Sequence, residues 1–268
     1  MTITGTAKGN DITVVLPHWN RSNKESITSA LDNLIKRLNR IINFNSQALM
    51  QYQLNRIDVD TTFCVGYVSL KDGKKIPIPT FHIDHKKTRG HIRSFHVLLY
   101  YNFLTKIVET YELFLKELAH DVYKNNKEIL AIDERQLTSR EILSAPDIAT
   151  VIDTLVENRL KKLEFSSYPT FVKRLETDFH IKFHDDDAII SLFEMHNIFE
   201  IRNVVVHNDG IVDKSYVERM LDYKEKKYLI RQSIKVDFIW IYDFVNKLYR
   251  FCSGIETKVR KKRKTSAD

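Results

Sequence analysis

The sequence predicts a mainly α protein, a helical bundle preceded by a small α+β region of helix plus β-hairpin. Three observations carry this. Gly and Pro, the two residues least tolerated inside helices, number only 7 and 5 among 268. Apolar residues recur at spacings of three and four along several long stretches, the period of one helix face. Runs rich in β-formers, with turn residues between them, are confined to the first 90 positions.

Taken in order, Ile12–Leu16 is a short strand candidate ended by Pro17. Ser22 to Leu54 reads as helix, interrupted near Asn43–Ser46. Ile27, Leu31, Leu34, Leu38 and Ile41 mark its buried face, and Lys36, Arg37 and Arg40 point outward. Thr61–Leu70 and Lys75–Ile83 form a hairpin about the Asp72-Gly73 turn, with Pro77 and Pro79 restricting the second run to an edge. His91–Asn125 is a long amphipathic helix built on Phe95, Leu98, Leu99, Phe103, Ile107, Tyr111, Phe114 and Leu118. Residues 133–145 read as linker, Pro146–Phe165 and Tyr168–Phe179 as helices. Asp185-Asp186-Asp187 cap a helix over Ala188–Val206, Ser215–Tyr223 is a short helix, and Lys227–Arg231 a short strand. Ile234–Val259 is the last long helix. The expected organisation is residues 1–90, a bundle over 91–257, and a basic tail over 258–268.

The helix over 188–206 is apolar almost all round, as buried helices are. At about 100° per residue, His196, Glu200, Asn203 and His207 nevertheless form a narrow polar stripe. Polar groups are costly to bury without partners, so the stripe predicts a satisfied network or a site. Gly210 fits a cap that leaves His207 in the last turn.

Arg followed at short range by His also occurs at Arg89…His96 and Arg174…His180, so spacing alone says little. Only Arg202-Asn203-Val204-Val205-Val206-His207 closes an apolar helix and runs into Asn208-Asp209-Gly210-Ile211-Val212-Asp213. This segment resembles the motif helix and following turn of the HEPN superfamily, and is most similar to its prokaryotic, defence-associated ribonucleases. The resemblance is sharp over 165–223, looser from 92 to the last helix, and does not reach residues 1–90.

It implies a homodimer in which two copies build one metal-independent site that cleaves RNA, without a cofactor. Arg202 would stabilise charge on the scissile phosphate, Asn203 would orient it, and His207 would move protons. The residue types suit that chemistry. Histidine titrates near neutral pH, and arginine is a permanently charged fork for phosphate. Glu200, His196, Asn208 and Asp209 are the supporting candidates. Arg202 and His207 stand about 140° apart on an ideal helix, so the long arginine side chain must bend round. The alternative implied role is a non-catalytic dimerisation module holding RNA or a protein. A toxin or anti-phage effector, with an antitoxin or regulatory partner, is the implied biology.

Other clusters are read against plainer explanations. His82, Asp84, His85, His91 and His96 include metal-ligand types, but Lys86, Lys87 and Arg89 between them make a basic loop that contacts RNA phosphate the better reading. His184-Asp185-Asp186-Asp187, with His207 and Asp213, defines a third reading, a metal-dependent phosphohydrolase. Aspartates before an apolar run are also the ordinary start of a helix. The sequence contains no phosphate loop, serine elbow or dinucleotide fingerprint.

The net charge of +7 resides largely in the tail, where Lys258, Arg260, Lys261, Lys262, Arg263 and Lys264 leave +1 for everything else. Such a run suits non-specific contact with RNA backbone. No stretch approaches the ~20 apolar residues of a membrane span. No secretory leader is visible, and Cys64 and Cys252 form no metal pair, so a reduced, cytoplasmic protein is expected.

Overall fold

In the computed structural model the chain is mainly helical, and one hydrophobic cluster runs through its helices. The structure describes residues 28–48, 97–126, 128–130, 137–140, 142–161, 167–221, 228–237 and 239–263. Helix ends beyond these ranges refer to the backbone alone. The strand expected over Ile12–Leu16 and the hairpin expected over Thr61–Ile83 lie outside the described residues, as does Cys64.

Helix α1 (Ser29–Leu54) and helix α2 (His85–Asn125) lie against each other, and α1 also meets the C-terminal helix α9 (Phe238–Thr265). Leu31, Leu34 and Leu38 bury the predicted face of α1, joined by Ile35 and Ile42. The sequence groups α1 with an N-terminal region ending near residue 90, and its buried face enters the same cluster as α2 and α9. Thr28 begins α1 in an unusual way. Its N–H donates to Glu256 Oε1 of α9 at 2.5 Å, while its hydroxyl accepts from Leu31 N. The interruption expected at Asn43–Ser46 is absent. Asn45 and Ser46 are buried within a continuous helix, and Asn45 Nδ2 is satisfied by Ile41 O four residues back. Arg37 does not point outward, because Glu117 of α2 draws it in at 2.6 Å.

Helix α2 is the central element. Phe103, Leu104, Ile107, Tyr111, Phe114 and Leu118 are all essentially inaccessible along one face, and α2 packs against α1, α5, α7 and α9. Its backbone starts at His85, six residues before the expected position. The expected linker holds a short helix, α4 (Ser139–Ser144), after α3 (Lys127–Ala131). Helix α5 (Ile148–Leu163) starts at Asp147, whose carboxylate accepts from Thr150 N. Helix α6 (Tyr168–Phe179) matches its expected span, Pro169 fitting its first turn.

Helix α7 (Leu192–Asn208) starts later than expected. The aspartates at 185–187 do not cap it. Ser191 and Glu194 do, in a reciprocal capping box that satisfies two backbone donors at once. Helix α8 (Lys214–Arg219) is shorter than expected. The strand expected at 227–231 is instead a turn over the described residues 228–231, followed by a single bridge between Ile211 and Ser233.

Ile234 precedes α9 rather than opening it. The basic tail is not a separate segment at its start, since α9 continues through Thr265. Ile255 and Val259 anchor that stretch in the core, and Lys258 and Arg263 find Asp185 and Asp121. Among the described residues no helix is long and apolar enough to cross a membrane.

Candidate functional site

The polar stripe of α7 divides in two. Its first half is a buried network held from α8. His196, Asn197 and Glu200 are buried, and α8 answers each of them. Arg219 Nε donates to Glu200 Oε2 at 2.5 Å, Tyr216 OH donates to Asn197 Oδ1 at 2.8 Å, and His196 Nε2 faces Arg219 O at 3.4 Å. The Tyr216 hydroxyl pKa is pushed up to about 12, first by burial. This half is built for packing.

The second half emerges into solvent. Arg202 and Asn203 are half-buried, while Val206 and His207 are exposed. Positions 202 and 206, and 203 and 207, are each four apart, so the two pairs lie side by side on one face. Arg202 Nη1 donates to Asn203 Oδ1 at 3.2 Å, which turns the guanidinium toward the His207 side of the helix. Arg202 Nε is buried and, among the described residues, has no acceptor. On α2, burial raises the Glu112 carboxyl pKa, and the Arg202 charge acts against that rise.

The turn after α7 is fixed tightly. Asp209 and Gly210 both adopt left-handed backbone (φ 49° and 76°), and Gly210 N–H returns to Val204 O, closing the helix. Gly210 is required twice over. Besides its φ, a Cβ there would lie 2.2 Å from the Tyr101 hydroxyl of α2, which itself donates to Ile234 O at 3.0 Å. Asn208 Nδ2 donates to Asp213 Oδ2 at 2.7 Å, and Asp213 caps α8 by accepting from Tyr216 N and Ser215 Oγ. These donors, led by the Tyr216 N–H, hold the Asp213 carboxyl pKa below the usual range. Asn208 is thus structural, and Asp209 is exposed at the turn.

His184 faces the interior, away from any role as an open ligand. Its Nδ1 lies 2.8 Å from Ile190 O and must carry the proton, so Nε2 accepts from Tyr168 OH at 2.8 Å. Tyr168 then accepts from Tyr111 OH at 2.8 Å, giving a hydrogen-bond chain with one direction. Asp185 is bound to Lys258. The third reading needed His184, Asp185 and His207 to converge. Both His184 nitrogens and the Asp185 carboxylate are already engaged by the protein. Among the described residues no three His, Cys, Asp or Glu side chains gather closely enough to hold a metal ion.

The remaining candidates scatter. The side chains of His82, Asp84, His85, Lys86, Lys87, Arg89, His91 and His96 lie outside the described residues, as does Lys264. Arg260 is half-buried, Lys261 and Lys262 are exposed, and Arg263 binds Asp121. Arg219, Tyr216, Tyr101 and Glu112 were not anticipated from sequence. A buried Glu200 asks for a cation, but nothing local says which. No family model, curated protein or solved structure matches the chain.

Proposed function

We propose that the chain is a HEPN-type endoribonuclease, acting as a homodimer through Arg202, Asn203 and His207. The observation that carries this reading is the solvent-facing strip on an otherwise buried helix. It brings a guanidinium, an amide and an imidazole together above a network that needs none of them. The His207 side chain makes no hydrogen bond to any other described residue, and Arg202 holds one donor without an acceptor. Both are poised for a ligand rather than for the fold. Val206 and Ile211, each about half exposed, flank His207 with apolar surface suited to a second copy.

In this reading one His207 takes the proton of an RNA 2′-hydroxyl as O2′ attacks phosphorus. The P–O5′ bond breaks, and His207 of the second copy protonates the leaving oxygen. Arg202 stabilises the charge that develops on the phosphoryl oxygens, and Asn203 holds the guanidinium. Each proton transfer contributes roughly 10²–10⁴-fold, and charge stabilisation is typically of similar or greater weight. A cytoplasmic toxin or antiviral effector with a regulatory partner, and an N-terminal helix-plus-hairpin region, complete the proposal.

The deciding experiment incubates purified protein with labelled tRNA and total RNA in EDTA, beside Arg202→Ala and His207→Ala. The expected result is cleavage that survives EDTA, leaves 2′,3′-cyclic phosphate ends and disappears in both variants. Glu112 favours a second reading. A carboxyl group near Arg202 suits a module that binds RNA or protein without cutting, and binding unchanged in both variants with no cleavage would establish it. Cleavage abolished by EDTA would return the metal-dependent phosphohydrolase.

A further inference from the structure

The Arg202 guanidinium is fixed at one nitrogen only. Nη1 donates to Asn203 Oδ1, and Nε is buried with no acceptor among the described residues. Nη2, which is not fully buried, bonds to no described residue. A buried N–H left open is costly, so the arrangement calls for an acceptor that closes on Nε.

Helix α2 supplies one. It runs antiparallel to α7, since Tyr101 lies against Gly210 and the Tyr111 and Phe199 rings meet at 6.2 Å between centroids. Helical side chains lean toward the N-terminus of their own helix. Arg202 therefore leans back toward the level of Phe199, while Glu112, next after Tyr111, leans toward the level of Arg202. Glu112 is half-buried and makes no hydrogen bond or ion pair with any described residue. Burial raises its carboxyl pKa, and the strongest charge opposing that rise is Arg202, ahead of Lys116. Glu109, one turn earlier on α2, is already engaged by Lys106 at 2.7 Å.

We propose that Glu112 is a positioning residue of the ribonuclease site. Its carboxylate closes on Arg202 Nε, and together with Asn203 on Nη1 it fixes the guanidinium plane so that Nη2 faces the phosphoryl oxygens. Glu112 itself touches no RNA, and the inference rests on the ribonuclease reading of Arg202, Asn203 and His207. A guanidinium aimed before RNA arrives stabilises developing charge without having to reorganise. The test measures cleavage of labelled tRNA in EDTA by the full-length parent, Glu112→Ala, Glu112→Gln and Glu109→Ala. Glu112→Ala should lower kcat about tenfold or more while KM changes less than about threefold, as expected of a misplaced group. Glu112→Gln keeps an acceptor oxygen in place and should recover part of that loss, and Glu109→Ala should match the parent. A second arm follows the Arg202 Nε–H resonance in ¹⁵N-labelled protein without RNA, identified by its disappearance in Arg202→Lys. It should shift and exchange faster with solvent in Glu112→Ala, and stay in place in Glu109→Ala. An unchanged kcat in Glu112→Ala, a resonance indifferent to that change, or equal responses to Glu109→Ala overturns the positioning role. A parent that cuts no RNA overturns the ribonuclease reading instead, and the resonance still decides whether Glu112 holds Arg202.

Discussion

Arg219 Nε donates to Glu200 Oε2 at 2.5 Å, so a carboxylate buried in α7 is answered by a guanidinium from the short helix α8. Glu200 is nearly inaccessible while Arg219 remains 44% exposed. The pair therefore ties α8 to the helix that carries Arg202 and His207. Arg219→Ala strands the charge of Glu200. It should cost about 2 kcal/mol in urea unfolding, below the ~3–5 kcal/mol of a fully buried pair because water reaches the arginine. Pairing Arg219→Ala with Glu200→Gln should recover part of that loss, and a double variant no better than the single one would argue against the tie.

Gly210→Ala meets two obstacles, a positive φ and the Tyr101 hydroxyl. The backbone cost alone is about 1–3 kcal/mol, and the collision adds to it. A thermal melt should show the variant several degrees less stable than the parent. Tyr101→Phe removes the nearest atom, so the two changes together should cost less than the sum of the separate losses. Strict additivity would mean the close approach relaxes freely.

The Tyr111–Tyr168–His184 chain fixes a pH dependence. His184 must accept from Tyr168, so the neutral ring fits and the imidazolium does not. Burial pushes its pKa below the ordinary 6.5, with Glu176, Asp185 and the Ile190 carbonyl opposing and Lys258 assisting. The unfolded chain then binds a proton that the folded one resists. The stability contributed by His184 is complete above pH 6.5 and is lost as pH falls from there toward the depressed folded value. Urea midpoints at pH 7.5 and 5.5 should differ more in the parent than in His184→Gln.

Arg159 and Asp178 are both almost fully buried. Removing one should be worse than replacing both. Arg159→Met is expected to cost about 3–5 kcal/mol, because Asp178 retains only Tyr123 and the half-exposed Arg174. Arg159→Met with Asp178→Leu should be clearly more stable than Arg159→Met alone in guanidinium unfolding.

Features set by local spacing were legible in the sequence. Leu31, Leu34 and Leu38 mark the buried face of α1, α6 keeps its span, and Gly210 ends the helix that carries His207. The onset of α7 was misplaced because three aspartates look like a cap, although Ser191-x-x-Glu194 holds the stronger reciprocal signal. Arg37 appeared to face outward because Glu117 is 80 residues away. The basic run beyond Lys258 looked like a loose tail because charge density is visible in sequence, whereas the anchoring by Ile255, Val259, Asp121 and Asp185 is not. At the site, the four-residue step from Asn203 to His207 was readable. What the stripe rests on was not, since Arg219, Tyr216 and Tyr101 reach it only through tertiary packing.

Thr28 and Glu256 are 228 positions apart, yet one begins the first described helix and the other accepts its backbone N–H. Synthesis runs from the amino end, so α1 leaves the ribosome with its first turn unfinished. The residue that completes it is made 228 residues later. At roughly 5–20 residues per second, the nascent chain waits on the order of ten seconds or more for that acceptor. An early part of the bundle is thus finished late, and a chain interrupted before Glu256 leaves the ribosome with the Thr28 N–H unanswered and only the Thr28 hydroxyl on the first turn of α1.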